Sequence, residues 1–206
     1  MNRKIGFYAA VVNAGMVTAF AISMLVGWLF GCYLSSLLIA VSFVPMAAAL
    51  ASEAEPERRV SAAAAMIFAG MYALCNAIVY FTQLTAVRQG NLNETTAALL
   101  DFQQFGLFFS YDLLGYGLMA LSTFFLGLSM RAEGRSGRWL KGMLMAHGIF
   151  APACFIFPIL GLFHPGMTSG EWIGTLLLEF WCAWFIPVGV LCCCHFRGNC
   201  AVERPR

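Results

Sequence analysis

Six stretches of mainly apolar sequence, separated by short polar connections, constrain this chain more than any other feature. A membrane-spanning helix needs about 20 such residues, and that window places helices at about residues 5 to 30, 33 to 50, 61 to 84, 105 to 130, 140 to 163 and 172 to 194. In hydrocarbon the backbone must satisfy its own hydrogen bonds, and helices do so within one segment. The expected fold is therefore all-α: a polytopic bundle of six transmembrane helices, forming one integral membrane domain over residues 1–206. Composition agrees, with 61% hydrophobic and 11% charged residues, against about a quarter charged in a soluble domain. The apolar run from Ile5 to Phe30 exceeds the roughly 7 to 15 residues of a signal-peptide core, so it reads as the first membrane helix.

The connections set the topology. The first, near Gly31 to Tyr33, is short enough to make helices 1 and 2 an antiparallel hairpin. The second, ASEAEPERRV, is charged, and Pro56 within it cannot continue a helix. The third, from about Thr85 to Gln104, is turn-like at first, with a short interfacial helix expected after Asn93 as N-cap. RAEGRSGRWLK and HPGMTSGEW supply the fourth and fifth, the latter with Ser169 as a helix cap.

Lys and Arg collect on the cytoplasmic side of short loops. With the N-terminus inside, that side receives Arg3, Lys4, Arg58, Arg59, Arg131, Arg135, Arg138, Lys141, Arg197, Arg204 and Arg206, and only Arg88 falls outside. Both termini are therefore expected in the cytoplasm. Trp139 at the inner boundary and Trp28 and Trp172 at the outer one fit the aromatic belts.

Against this background an acid inside a helix stands out. Asp112 lies in FFSYDLLGYGLMALSTFF (Phe108 to Phe125), and an Asp at a helix centre costs about 2.5 to 3.5 kcal/mol on insertion scales, so such residues usually face a bundle interior or a wet cavity. Helical spacing puts Asp112, Tyr116, Met119 and Thr123 on one face, with Gly115 and Gly117 admitting a close neighbour. In helix 6, Glu171, Thr175 and Glu179 recur every four residues, which brings Glu179 to about the depth of Asp112. In helix 3, Tyr72, Asn76, Tyr80 and Gln83 form a polar stripe towards the outer half, with Arg88 just beyond.

Two readings follow. In one, Asp112, Glu179, Asn76, Tyr80, Gln83 and Tyr116 line a pocket open to the outside that takes a cation, a proton or the amine of a small molecule. In the other, the same residues are a packing seam in which an acid pairs with Arg88 and the hydroxyls fasten helices together. His147 reads as a proton relay or a hydrogen-bonded core histidine, and Asn13 as a residue that fixes helix packing.

Other chemistry finds little footing. The net charge of +2 with scattered basic residues lacks the electrostatic footprint of nucleic-acid binding. Cys75, Cys154 and Cys182 fall inside apolar runs and read as small buried hydrophobes. Cys192, Cys193 and Cys194, with His195 and Cys200, lack the C-x2-4-C spacing of a zinc site. No HExxH, GxSxG or CxxC signature occurs. No catalytic residue, metal or cofactor is expected, and the chain leans away from being an enzyme.

YFTQLTAVRQG (Tyr80 to Gly90) and FFSYDLLGYGLMALSTFFLGL resemble a bacterial group of six-helix membrane proteins of unknown function, the DUF4386-type family. The likeness covers about Tyr80 to Leu128. It implies a bacterial inner-membrane location and carries no activity or ligand. The expectation is a membrane protein that binds or transports a small molecule or cation. The alternative is a non-catalytic structural or interaction subunit, with partner subunits or copies of itself around it.

Overall fold

The structure is a computed structural model and describes residues 1–163 and 170–198. The described chain is 85% helical, without strands, and carries six helices long and apolar enough to cross a membrane. In order they are α1 (Asn2–Leu25), α2 (Leu29–Ala51), α3 (Arg59–Thr82), the short α4 (Glu94–Leu100), α5 (Leu107–Ser129), α6 (Gly134–His147), α7 (Phe150–Ile159) and α8 (Gly170–Arg197). The Ser169 cap, the Pro165–Gly166 turn, His164, Cys200, Arg204, Arg206 and the side chains of Glu171 and Trp172 lie outside the described residues.

Two boundaries differ from the hydropathy reading. The first hairpin turns at Val26–Trp28, not at Gly31–Tyr33, because Gly27 adopts φ +69°, the left-handed region that favours glycine. The fifth span is two helices rather than one, broken at Gly148–Ile149. Pro152 supplies the reason: within a continuous helix its ring would meet the Gly148 carbonyl and offer no N–H, whereas in the first turn of a new helix neither matters. That span also begins at Gly134, six residues before the apolar window opens (140 − 134), as its polar face carries Arg135, Arg138 and Lys141. Asn93 does cap α4, its Oδ1 accepting from Thr96 N–H at 2.8 Å.

The helices close a ring. α1 packs between α8 and α2, α3 lies between α2 and α5, α6 joins α5 to α8, and α7 rests on α5. Polar pins set these contacts: Asn13 Nδ2 donates to Ile39 O and Ser42 Oγ at 3.1 and 3.0 Å, and Ser122 Oγ donates to Ala65 O at 2.8 Å. At the ring's centre, Phe43, Tyr72, Tyr116, Trp181 and Phe185 form a closed circuit of aromatic contacts, with centroids 5.1 to 6.3 Å apart. Such pairs contribute about 0.5–1.5 kcal/mol each beyond their area.

One end of the bundle is strongly charged. Glu53 pairs with Arg3 at 3.5 Å and with His195 at 2.6 Å, while Glu55 reaches Arg131 at 2.9 Å. Arg58 and Lys141 donate to the Met130 carbonyl. At the opposite end, the Arg88 guanidinium lies 4.8 Å from the Phe30 ring centroid.

Candidate functional site

Asp112 enters the bundle five residues from the start of α5, about 7 Å along the axis at 1.5 Å per residue. It is only 4% exposed. Its face is set by helical period: Tyr116, Met119 and Thr123 follow it, and all are buried.

The partner that meets it is Asn76 of α3, whose Nδ2 donates to Asp112 Oδ1 at 2.8 Å. The approach depends on Gly115. A Cβ there would stand 1.8 Å from Asn76 Oδ1 and 3.0 Å from its Cγ, so no residue but glycine leaves room for the carboxamide. The Tyr80 hydroxyl shares hydrogen bonds with Asp112 and with Tyr116. Asn76, Tyr80 and Tyr116 are all buried, and Asn76 Oδ1 and the Tyr72 hydroxyl have no hydrogen-bond partner. The structure thus brings Asp112, Asn76, Tyr80 and Tyr116 into one cluster.

The remaining candidates stand apart. Gln83 opens a π-helical turn (Gln83–Val87) and serves the backbone: its Nε2 donates to Leu100 O at 2.7 Å and its Oε1 accepts from Phe102 N–H at 3.1 Å. Arg88 turns onto Phe30 and makes no ion pair with either acid among the described contacts. Glu179 is half-buried, and its Oε1 is buried without a hydrogen-bond partner. Asp112 sits on α5 against Asn76 of α3, and Glu179 sits on α8. No described contact joins them. Tyr33, read from the sequence only as the end of the first turn, packs on Tyr80 with ring centroids 6.1 Å apart and so stands beside the cluster.

His147 belongs to a second cluster. Trp181 Nε1–H donates to its Nε2 at 3.0 Å, which makes Nε2 an acceptor and leaves the ring proton on Nδ1. Nδ1 lies 2.7 Å from Thr123 Oγ1, whose own proton goes to Ala120 O at 2.9 Å. Every donor finds an acceptor, so the ring is a neutral, oriented core histidine.

Among the described residues, no three or more His, Cys, Asp or Glu come together as ligands for a metal ion. Cys192 is buried in α8, and the described cysteines are all free thiols. No family model, curated protein or solved structure matches the chain.

Proposed function

We propose that this is an integral membrane protein that binds, and by extension transports, a small cation or an amine-bearing molecule at Asp112. The observation that carries the reading is a buried carboxyl group without a cationic partner among the described residues. A hydrogen bond to an ionised group contributes about 1.5–3 kcal/mol, against about 2.5–3.5 kcal/mol for placing the acid in the membrane. Asn76 and Tyr80 together offset the cost of placing the acid there, and a bound cation would neutralise the charge itself. Tyr80, Tyr116 and the unpartnered Asn76 Oδ1 and Tyr72 hydroxyl provide oxygens around it.

The orientation belongs to the same proposal. The positive-inside rule assigns the charged end holding Arg3, Arg58, Arg131 and Arg135 to the cytoplasm, so both termini are inside and Asp112 lies near the outer face. A bacterial inner membrane, implied by the resemblance of Tyr80 to Leu128 to DUF4386-type proteins, is part of the same proposal. Glu179, on α8, is assigned no contact with the same ligand.

A second reading rests on the wedge of Asn76 against Gly115, which is tight enough to be a packing device. In it the protein is a non-catalytic subunit. Thermal unfolding of the purified protein, with a panel of cationic and neutral metabolites, separates the two, because specific binding raises apparent stability by mass action. Binding predicts stabilisation by one or more cations, lost in Asp112→Asn; a panel that leaves wild type and variant alike removes the site and favours the packing reading.

A further inference from the structure

The membrane-facing side of α6, α7 and α8 carries a groove that nothing above uses. Its first part is a depression of about 500 Å³ lined by Arg135, Arg138, Trp139, Met143 and Trp184. Its second part, about 660 Å³, is lined by apolar side chains that include Phe124, Ile149, Pro152 and Phe155. Ala146 and Trp184 line both, so the two lie side by side along the same face. Gly148 and Ile149, at the break between α6 and α7, are among the residues that line the second part.

Charge is confined to the mouth. Arg135 and Arg138, one turn apart, engage in no described ion pair or hydrogen bond, unlike Arg3, Arg58 and Arg131 at the same end. Trp139 beside them is 59% exposed, an amphipathic ring of the kind that sits at headgroup level. Eleven residues separate Arg138 from Ile149 (149 − 138), about 16 Å of helical rise. That is about half of a hydrocarbon core of roughly 30 Å, the depth of one leaflet. The groove therefore offers cations at the headgroup level of one leaflet and an apolar channel that ends near the midplane.

We propose that this groove holds one anionic phospholipid, its phosphate between Arg135 and Arg138 and an acyl chain along Met143, Ala146 and Trp184 towards the α6–α7 break. Basic pockets between membrane helices on the cytoplasmic side suit anionic headgroups, and each Lys or Arg near such a surface favours the anionic lipid by about 1 kcal/mol, or roughly fivefold. The proposal does not depend on Asp112.

Native mass spectrometry of the full chain, released from membranes of equal anionic and zwitterionic phospholipid, reads the preference directly. The wild type is expected to retain one anionic lipid, and Arg135→Gln/Arg138→Gln to lose at least tenfold of that preference while melting as the wild type does. Ala146→Trp, which fills the channel and keeps both arginines, is expected to lose the retained lipid as well. Inorganic phosphate at millimolar concentration should not displace it. Equal retention of both lipids by the wild type, an unchanged preference in the double variant, or an Ala146→Trp protein that keeps the lipid would each overturn the proposal. Displacement by phosphate alone would reduce the site to a free-anion contact and overturn the acyl-chain part.

Discussion

The Asp112 and His147 clusters are both buried polar groups in an apolar bundle, yet they are completed to different degrees. Around His147 each nitrogen has one partner, the Thr123 proton has its own acceptor, and Trp181 donates its only N–H. Around Asp112 one amide and one hydroxyl converge, while Asn76 Oδ1 and the Tyr72 hydroxyl remain unmatched. Buried polar groups cost stability when left unpaired, so a saturated network has reached its lowest-energy arrangement with protein atoms alone. An unsaturated one retains capacity for a further atom. The comparison teaches that burial alone does not distinguish a structural polar residue from a binding one; the state of its neighbours does.

Breaking the saturated cluster should have the largest effect. His147→Ala removes a fully buried ring and strands both Trp181 Nε1–H and Thr123 Oγ1, for a loss of about 3–5 kcal/mol by thermal or denaturant unfolding in detergent. Any cation-induced stabilisation of the protein that remains folded should persist. Gly115→Ala comes next: the new Cβ collides with Asn76 Oδ1, and overpacking of this kind costs about 1–3 kcal/mol. Here cation-induced stabilisation should fall with the fold stability, since Asn76 leaves Asp112.

Asp112→Asn keeps an acceptor for Asn76 Nδ2 and should change stability in the absence of ligand by less than about 1 kcal/mol, in line with a nearly volume-conserving change, while abolishing the response to cations. A large loss of stability without ligand would equate the two clusters and remove the distinction drawn between them. The smallest effect is expected at the charged end, where Glu53→Gln weakens pairs with Arg3 and His195 that are half exposed; exposed pairs of this kind contribute about 0.2–1 kcal/mol, and the unfolding midpoint should become less sensitive to salt.

The six spans, the burial of the Asp112 face and the closeness required at Gly115 were legible because length, helical period and residue size are local properties. The turn at Val26–Trp28 was hidden by its own apolar residues, since hydropathy does not register a backbone reversal made of Val and Trp; Gly27 carried the signal instead. The break before Pro152 resembles, in sequence, the prolines that remain inside helices at Pro45, Pro158 and Pro187. Pro152 differs from them in falling in the first turn of a new helix, a place that only the structure shows. Depth matching grouped Asp112 with Glu179, but depth is one coordinate of three, and Asp112 meets Asn76 of α3 while Glu179 has no described contact with that cluster. Gln83 illustrates the same limit: its spacing gave its face, while its partners lie in the Leu100–Phe102 backbone, which no periodicity describes.

Trp181 has a consequence outside stability and binding. Its indole contacts Tyr116, whose hydroxyl belongs to the Asp112 cluster, and donates to His147 in the other, while stacking on Phe185 at an interplanar angle of 11°. Tyr72 and Tyr116 lie close enough to pass excitation energy to it. A protein in which Trp28, Trp139, Trp172 and Trp184 are replaced by Phe would therefore emit from a single indole at the junction of the two clusters, and the wavelength and lifetime of that emission would give an optical readout of the bundle centre without any added label.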